Sequence, residues 1–255
     1  MITRGMDIKD IVNEYEKDEK ELLAQHVRLN NDNRYRRFIL KNLRGEASHV
    51  FEPVHYKSTR GNDYIIVLAT KGYGQYKKYG LEAHTYLYYR IDNSNYYIVS
   101  QTNYYDISDR YGYTFYTPHF FDRYQERFLE GKPIPRLKLV TEFFKNNYCK
   151  GVINLIGEEE SKFPGSYYNY IPDGIILGRY SESLTEECER RILFCNTFIS
   201  FDMLKGSQLD LVDDMKDIFI KANSVTKKDE ASYQKIVDLI EQFNEEYGYE
   251  ISEEV

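Results

Sequence analysis

The chain has 255 residues, with 34 Lys and Arg against 41 Asp and Glu, five His, three Cys, 26 Tyr and no Trp. A hydrophobic fraction of 42% beside 29% charged residues excludes disorder as the main state, because enough apolar area is present to offset chain entropy. No apolar run approaches the roughly 20 residues of a membrane helix and no secretory leader follows Met1, while Cys149, Cys188 and Cys195 lack metal-ligand spacing, so a reducing cytoplasmic setting with no membrane partner is expected.

Residues 7–30 carry Ile8, Ile11, Val12, Tyr15, Leu22, Leu23 and Val27 at three- and four-residue spacing, which predicts a helix. After the turn cluster Asn30–Asn33, a second helix is predicted over 34–43, with Arg34, Arg36, Arg37, Lys41 and Arg44 in or beside it. Such a basic run suits either phosphate contact or a solvated face. The pattern then turns to β. Residues 64–70 and 85–91 are apolar or aromatic runs, and 96–100 completes a hairpin around an Asn/Ser turn at 92–95. Gly72, Gly74 and Gly80 mark the intervening stretch as a loop, and 111–116 reads as a further strand. Fifteen of the 26 Tyr lie between Tyr56 and Tyr116. Their rings fit a pleated, half-buried surface with the hydroxyl in water.

Helices return from Pro118 to about Glu130 and from Arg136 to Cys149, separated by Gly131, Pro133 and Pro135. Residues 157–170 read as a polar loop, 173–179 and 191–201 as strands, and 209–222 and 230–247 as closing helices. The predicted class is α+β: a mostly antiparallel, Tyr-rich sheet with N-terminal, central and C-terminal helices. Three segments are expected: helical residues 1–46, an α+β core at 47–204, and an acidic helical segment at 205–255. The last holds six Lys against thirteen Asp and Glu, which accounts for the whole net charge of −7. The remaining body is neutral, so a local basic cleft stays open to it. The acidic segment is either a solvated face or a shield for such a cleft.

The segment with the most chemical content begins at Thr117, a good N-cap, with Pro118 at the first helical position. His119, Arg123 and Arg127 follow at i, i+4 and i+8 and form one stripe beside the apolar face of Phe120, Phe121, Tyr124 and Phe128. A neutral-range imidazole moves protons, and two guanidinium forks hold a phosphate and stabilise charge developing on it. With a 2′-OH as nucleophile, RNA transesterification needs no metal or other cofactor, and none is expected here. The structural alternative pairs Arg123 and Arg127 with Glu126 and Glu130 and leaves His119 at the helix start.

This H-x3-R-x3-R helix resembles that of small bacterial domains grouped with toxin-type RNases of the barnase–EndoU–colicin–RelE-like superfamily. The resemblance spans residues 117–201. It implies a helix packed on a four-stranded antiparallel sheet, with His119, Arg123 and Arg127 catalytic and a hydroxyl residue on a later strand assisting. Thr197 fills that place first and Ser200 second. The implied activity is a toxin-like, metal-independent endoribonuclease, with RNA as substrate and a protein inhibitor as a further partner.

A reading from a different class is a non-catalytic module whose Tyr-rich sheet binds protein or nucleic acid. Lys71, Lys77 and Lys78 interleave with Tyr and Gly in the sequence KGYGQYKKYG, so Lys71 and Lys77, with Tyr88 and Tyr116, are the candidate substrate contacts under either reading. His49 and His55 flank a predicted strand but lack a third ligand, so no metal site is assigned. Cys195 reads as a buried small hydrophobe.

Overall fold

In a computed structural model the described residues are 2–3, 6–43, 48–90, 96–103, 111–148, 152–155, 166–181 and 192–224. The first periodic stretch forms helix α1 (Ile8–Asn30), capped by Asp7, whose carboxylate accepts the Asp10 amide at 2.8 Å. Asp32 caps α2 (Asn33–Asn42) in the same way. Strands β1 (His49–Val50), β2 (Val54–Lys57) and β3 (Asp63–Thr70) follow, then helix α3 (Tyr73–Tyr79), β4 (Glu82–Arg90) and β5 (Tyr96–Asn103). Beyond these come β6 (Tyr111–Tyr116), α4 (Pro118–Arg127), α5 (Arg136–Asn146), β7 (Val152–Leu155), β8 (Ser166–Ile171), β9 (Gly174–Ser181), β10 (Ile192–Ile199) and α6 (Ser207–Ser224). The architecture is α+β.

Three expectations are corrected. The Gly-bearing stretch at 71–80 is not a loop but holds α3. The polar stretch expected to be a loop over 157–170 contains β8 from Ser166 onward. Tyr64, Tyr86 and Tyr113 are buried, where half-buried rings with their hydroxyls in water were expected. The hairpin turn at 92–95 and the helix expected at 230–247 lie outside the described residues.

The chain divides into two units: residues 1–101 with 140–148, and 102–139 with 149–255. These differ from the segments 1–46, 47–204 and 205–255. The first unit joins the N-terminal helices to the strands that follow, because Leu29, Ile39 and Leu43 share one apolar cluster with Phe51, Ile66, Leu68 and Leu81. Its strands run β1-β3-β4-β5, all antiparallel, and β2 also pairs with β3. In the second unit the order is β6-β10-β9-β8-β7. Among the described pairings of this unit, β10 with β6 is parallel and the others are antiparallel. Helix α6 packs Met215 and Ile218 on Tyr168, Tyr170 and Ile175. Among the described residues no helix is long and apolar enough to cross a membrane.

Candidate functional site

Helix α4 starts as its sequence predicts. The Thr117 hydroxyl accepts the Phe120 amide at 3.2 Å and donates to the Cys195 carbonyl at 3.0 Å, which fixes the helix start to β10. Phe120, Phe121 and Tyr124 are buried, and Phe198 of β10 lies edge-on to Tyr124 at a centroid separation of 5.1 Å. Tyr124 also donates to Asp173 at 2.6 Å.

Of the predicted catalytic set, the fold brings His119 and Arg123 together. Arg123 Nε donates to His119 Nε2 at 3.4 Å. Arg123 Nη1 is also paired with Glu126 at 2.6 Å, as the structural alternative anticipates. Arg127 turns elsewhere and donates to the Phe198 backbone carbonyl. Glu130 is paired with Lys132. Thr197 does not join the group. It pairs with Leu177 just past a register shift that follows Cys195, and from there Thr197 and Phe198, as consecutive strand residues, face opposite sides. With Phe198 against α4, Thr197 faces away from that helix. Ser200 is buried and its hydroxyl has no partner among the described residues. Cys195 is buried, 3.1 Å from the Tyr167 hydroxyl, and burial pushes its thiol up to about 12, so it is no nucleophile.

The predicted binding residues separate as well. Tyr116 packs on Phe120 and Phe121 in the second unit. Tyr88 is half-buried in β4, paired with Asp63 and Ile98, and Lys71 is half-buried at the end of β3. Lys77 is exposed and lines a groove of about 510 Å³ in the first unit.

That groove is made by the end of α1 (Val27, Asn30, Asn31), the start of α2 (Asn33, Arg36) and α3 (Tyr76, Lys77, Gly80). Asn30 holds its walls together. Its Oδ1 accepts the Leu81 amide at 2.7 Å and its Nδ2 donates to the Leu81 carbonyl at 3.4 Å, so one side chain satisfies both backbone groups across 51 residues. Gly80 permits this approach, since a Cβ there would lie 2.7 Å from Asn30 Oδ1. Tyr76 packs against the Leu29–Ile39–Leu81 cluster and lines the groove. Helix α2 buries Ile39 and tucks Tyr35 and Phe38 against the same cluster, which leaves Arg36 on the exposed face.

Arg34 is neutralised by Asp32, with bonds of 2.7 and 2.9 Å. Arg36 and Lys77 carry no such partner among the described residues, and no carboxylate lines the groove. The setting reinforces this. The first unit holds 17 Lys and Arg against 14 Asp and Glu, and the second 17 against 27. The sequence shows both basic runs; what it hides is the Asn30–Leu81 pair that makes them neighbours.

Sequence reasoning also missed a carboxylate ladder on α1. Glu14, Asp18 and Glu21, at i, i+4 and i+7, grip the β2–β3 hairpin. Arg60 and Lys17 bond Glu14, whose carboxyl is lowered to about 2, with Lys17 the largest cause. The buried Asp18 accepts from Asn62 Nδ2 at 2.8 Å and Tyr64 OH at 2.9 Å, with Arg60 Nε 3.6 Å away. Glu21 accepts from the Thr59 hydroxyl and amide and from Tyr56, whose phenol it pushes up to about 12. These contacts fasten the hairpin. Among the described residues no group of three His, Cys, Asp or Glu is placed to hold a metal ion.

No family model, curated protein or solved structure matches the chain.

Proposed function

We propose that the chain is a non-catalytic binding module that holds single-stranded RNA in the groove of its first unit. The observation that carries this reading is the convergence of Arg36 and Lys77, from two separate basic runs, on one groove whose lining holds Tyr76 and no carboxylate. Two cations without a partner among the described residues suit phosphate contacts, and an aromatic ring gives a base a stacking surface. A groove of about 510 Å³ is within the size range that accepts small ligands and individual nucleotides.

Labelled single-stranded RNA titrated with the whole chain tests it by fluorescence anisotropy over a range of salt concentrations. The expected result is binding that weakens with salt, and roughly tenfold weaker binding for Arg36→Ala/Lys77→Ala with the logarithmic salt slope reduced by about 1.4, two phosphates at about 0.7 each. Equal affinity and slope in the double variant would overturn the reading.

One observation favours the second reading, the metal-independent endoribonuclease: His119 and Arg123 lie within 3.4 Å of each other at the start of α4, with His119 exposed. In that reading His119 is the general acid/base and Arg123 the phosphate clamp, once it leaves Glu126. Incubated RNA run on a denaturing gel tests it. Cleavage by the wild type that His119→Ala abolishes supports it, and RNA left intact by the wild type removes it.

A further inference from the structure

We propose that Asn31 and Asn33 read a base edge in the groove, and that the base they select is adenine; this rests on the RNA-binding reading above. The groove contains two kinds of polar group. Arg36 and Lys77 are cations, and contacts from cations to phosphates fix register without carrying sequence information. Apart from the Tyr76 phenol, the remaining polar side chains are amides, each offering a donor pair and an acceptor within one planar group.

Asn30 is not available for this role, because both ends of its amide are engaged by Leu81. Asn31 and Asn33 are different. Both are exposed, both line the groove, and neither side chain has a partner among the described residues. Asp32, between them, would otherwise repel a nucleic acid. Its carboxylate is occupied by the Arg34 amide at 2.8 Å and the Arg34 guanidinium at 2.7 and 2.9 Å. The turn between α1 and α2 therefore neutralises its acid and leaves the two flanking amides open to the groove. An asparagine amide matches an edge that presents an amino donor beside a ring-nitrogen acceptor; adenine carries such an edge on both its Watson–Crick and Hoogsteen sides, cytosine on one, and uracil, whose ring nitrogen donates, on neither.

The test compares oligoadenylate with oligouridylate of equal length on the whole chain, as wild type and as Asn31→Ala/Asn33→Ala. The wild type is expected to bind oligoadenylate about tenfold more tightly, within the range of one bidentate amide–base contact. The double variant is expected to bind both oligomers at the oligouridylate level with the wild-type salt slope, because its phosphate contacts remain. Equal binding of both oligomers by the wild type overturns the inference and leaves the RNA-binding reading standing, as does an adenine preference that the double variant keeps. No binding of either oligomer at low salt overturns both. Both positions are exposed, so loss of folding does not confuse the outcome.

Discussion

Tyrosine fills the core of a chain that has no Trp, and each buried ring brings a hydroxyl that must find a partner. Tyr64 finds Asp18, Tyr124 finds Asp173, Tyr167 finds Cys195, and Tyr15 reaches the Thr85 carbonyl at 3.4 Å. Burial together with the Asp18 carboxylate holds the Tyr64 phenol neutral far above its ordinary range. Hydrogen bonds to a charged acceptor contribute about 1.5–3 kcal/mol each, so the two pairings with carboxylates are anchors as well as compensation for burial. One residue-scale contact is sensitive to pH. His26 of α1 lies 2.6 Å from the Thr85 hydroxyl of β4, and burial lowers its imidazole below the ordinary value of 6.5. The unfolded chain thus takes up a proton near pH 6.5 that the folded chain refuses. The stability this group contributes is complete above that pH and is lost as pH falls below it. Thermal melts of wild type and His26→Gln from about pH 7.5 to 5.5 check this, with the melting temperature of the variant expected to fall less. Parallel curves would refute it. Glu14 has the same sign lower on the scale: held at about 2, it stabilises the fold above its ordinary 4.5 and ceases to as pH falls from there toward 2.

At the scale of elements, α3 is set by its glycines. Gly72 (φ 112°, ψ 178°) precedes it and Gly80 (φ 78°, ψ −159°) follows it, both in a backbone region that is essentially closed to other residues. Gly80→Ala is therefore expected to cost at least about 2 kcal/mol, from the backbone conformation and the displaced Asn30 amide together. Gly74, inside α3 with nothing within 4 Å of a Cβ, is the contrasting position. Gly74→Ala is expected to stabilise by about 0.5–1 kcal/mol, by helix propensity. Denaturant titration of both variants decides it, and a Gly80→Ala protein as stable as wild type would be the contrary result. The same glycines explain why α3 was not legible in the sequence. Three in ten residues read as loop punctuation, whereas two of them are the stops of a short helix. Strand β8 was hidden for a related reason: Ser166 and Asn169 gave it a polar look, but its Tyr rings are buried on β9 and α6.

For the whole molecule, the α+β class and the longer helices follow from periodicity, because apolar spacing and caps act locally. The two units do not, since nine residues from α5 and its end belong with the first 101 and only packing reveals it. The candidate sites divide along the same line. The His119–Arg123 neighbourhood is a matter of helical spacing and was readable. The diversion of Arg127 to Phe198 and the orientation of Thr197 depend on β10, 70 residues on. The groove falls between these cases, with its cations visible as separate runs and their meeting dependent on Asn30.

The clamp at Asn30 also bears on time. Helix α3 has no fully buried residue, and it is held by its glycine ends, by Tyr76, by hydrogen bonds of Gln75 to Thr70 and Glu82, and by one amide from α1. Such a segment opens locally at far lower free energy than the core strands β3 and β4. Its internal bond from the Gly80 amide to the Tyr76 carbonyl is thus among the first to exchange its hydrogen with solvent. A ligand bridging Arg36 and Lys77 would tie α3 to α2 and slow that exchange, so occupancy of the groove becomes readable as the lifetime of a single amide proton.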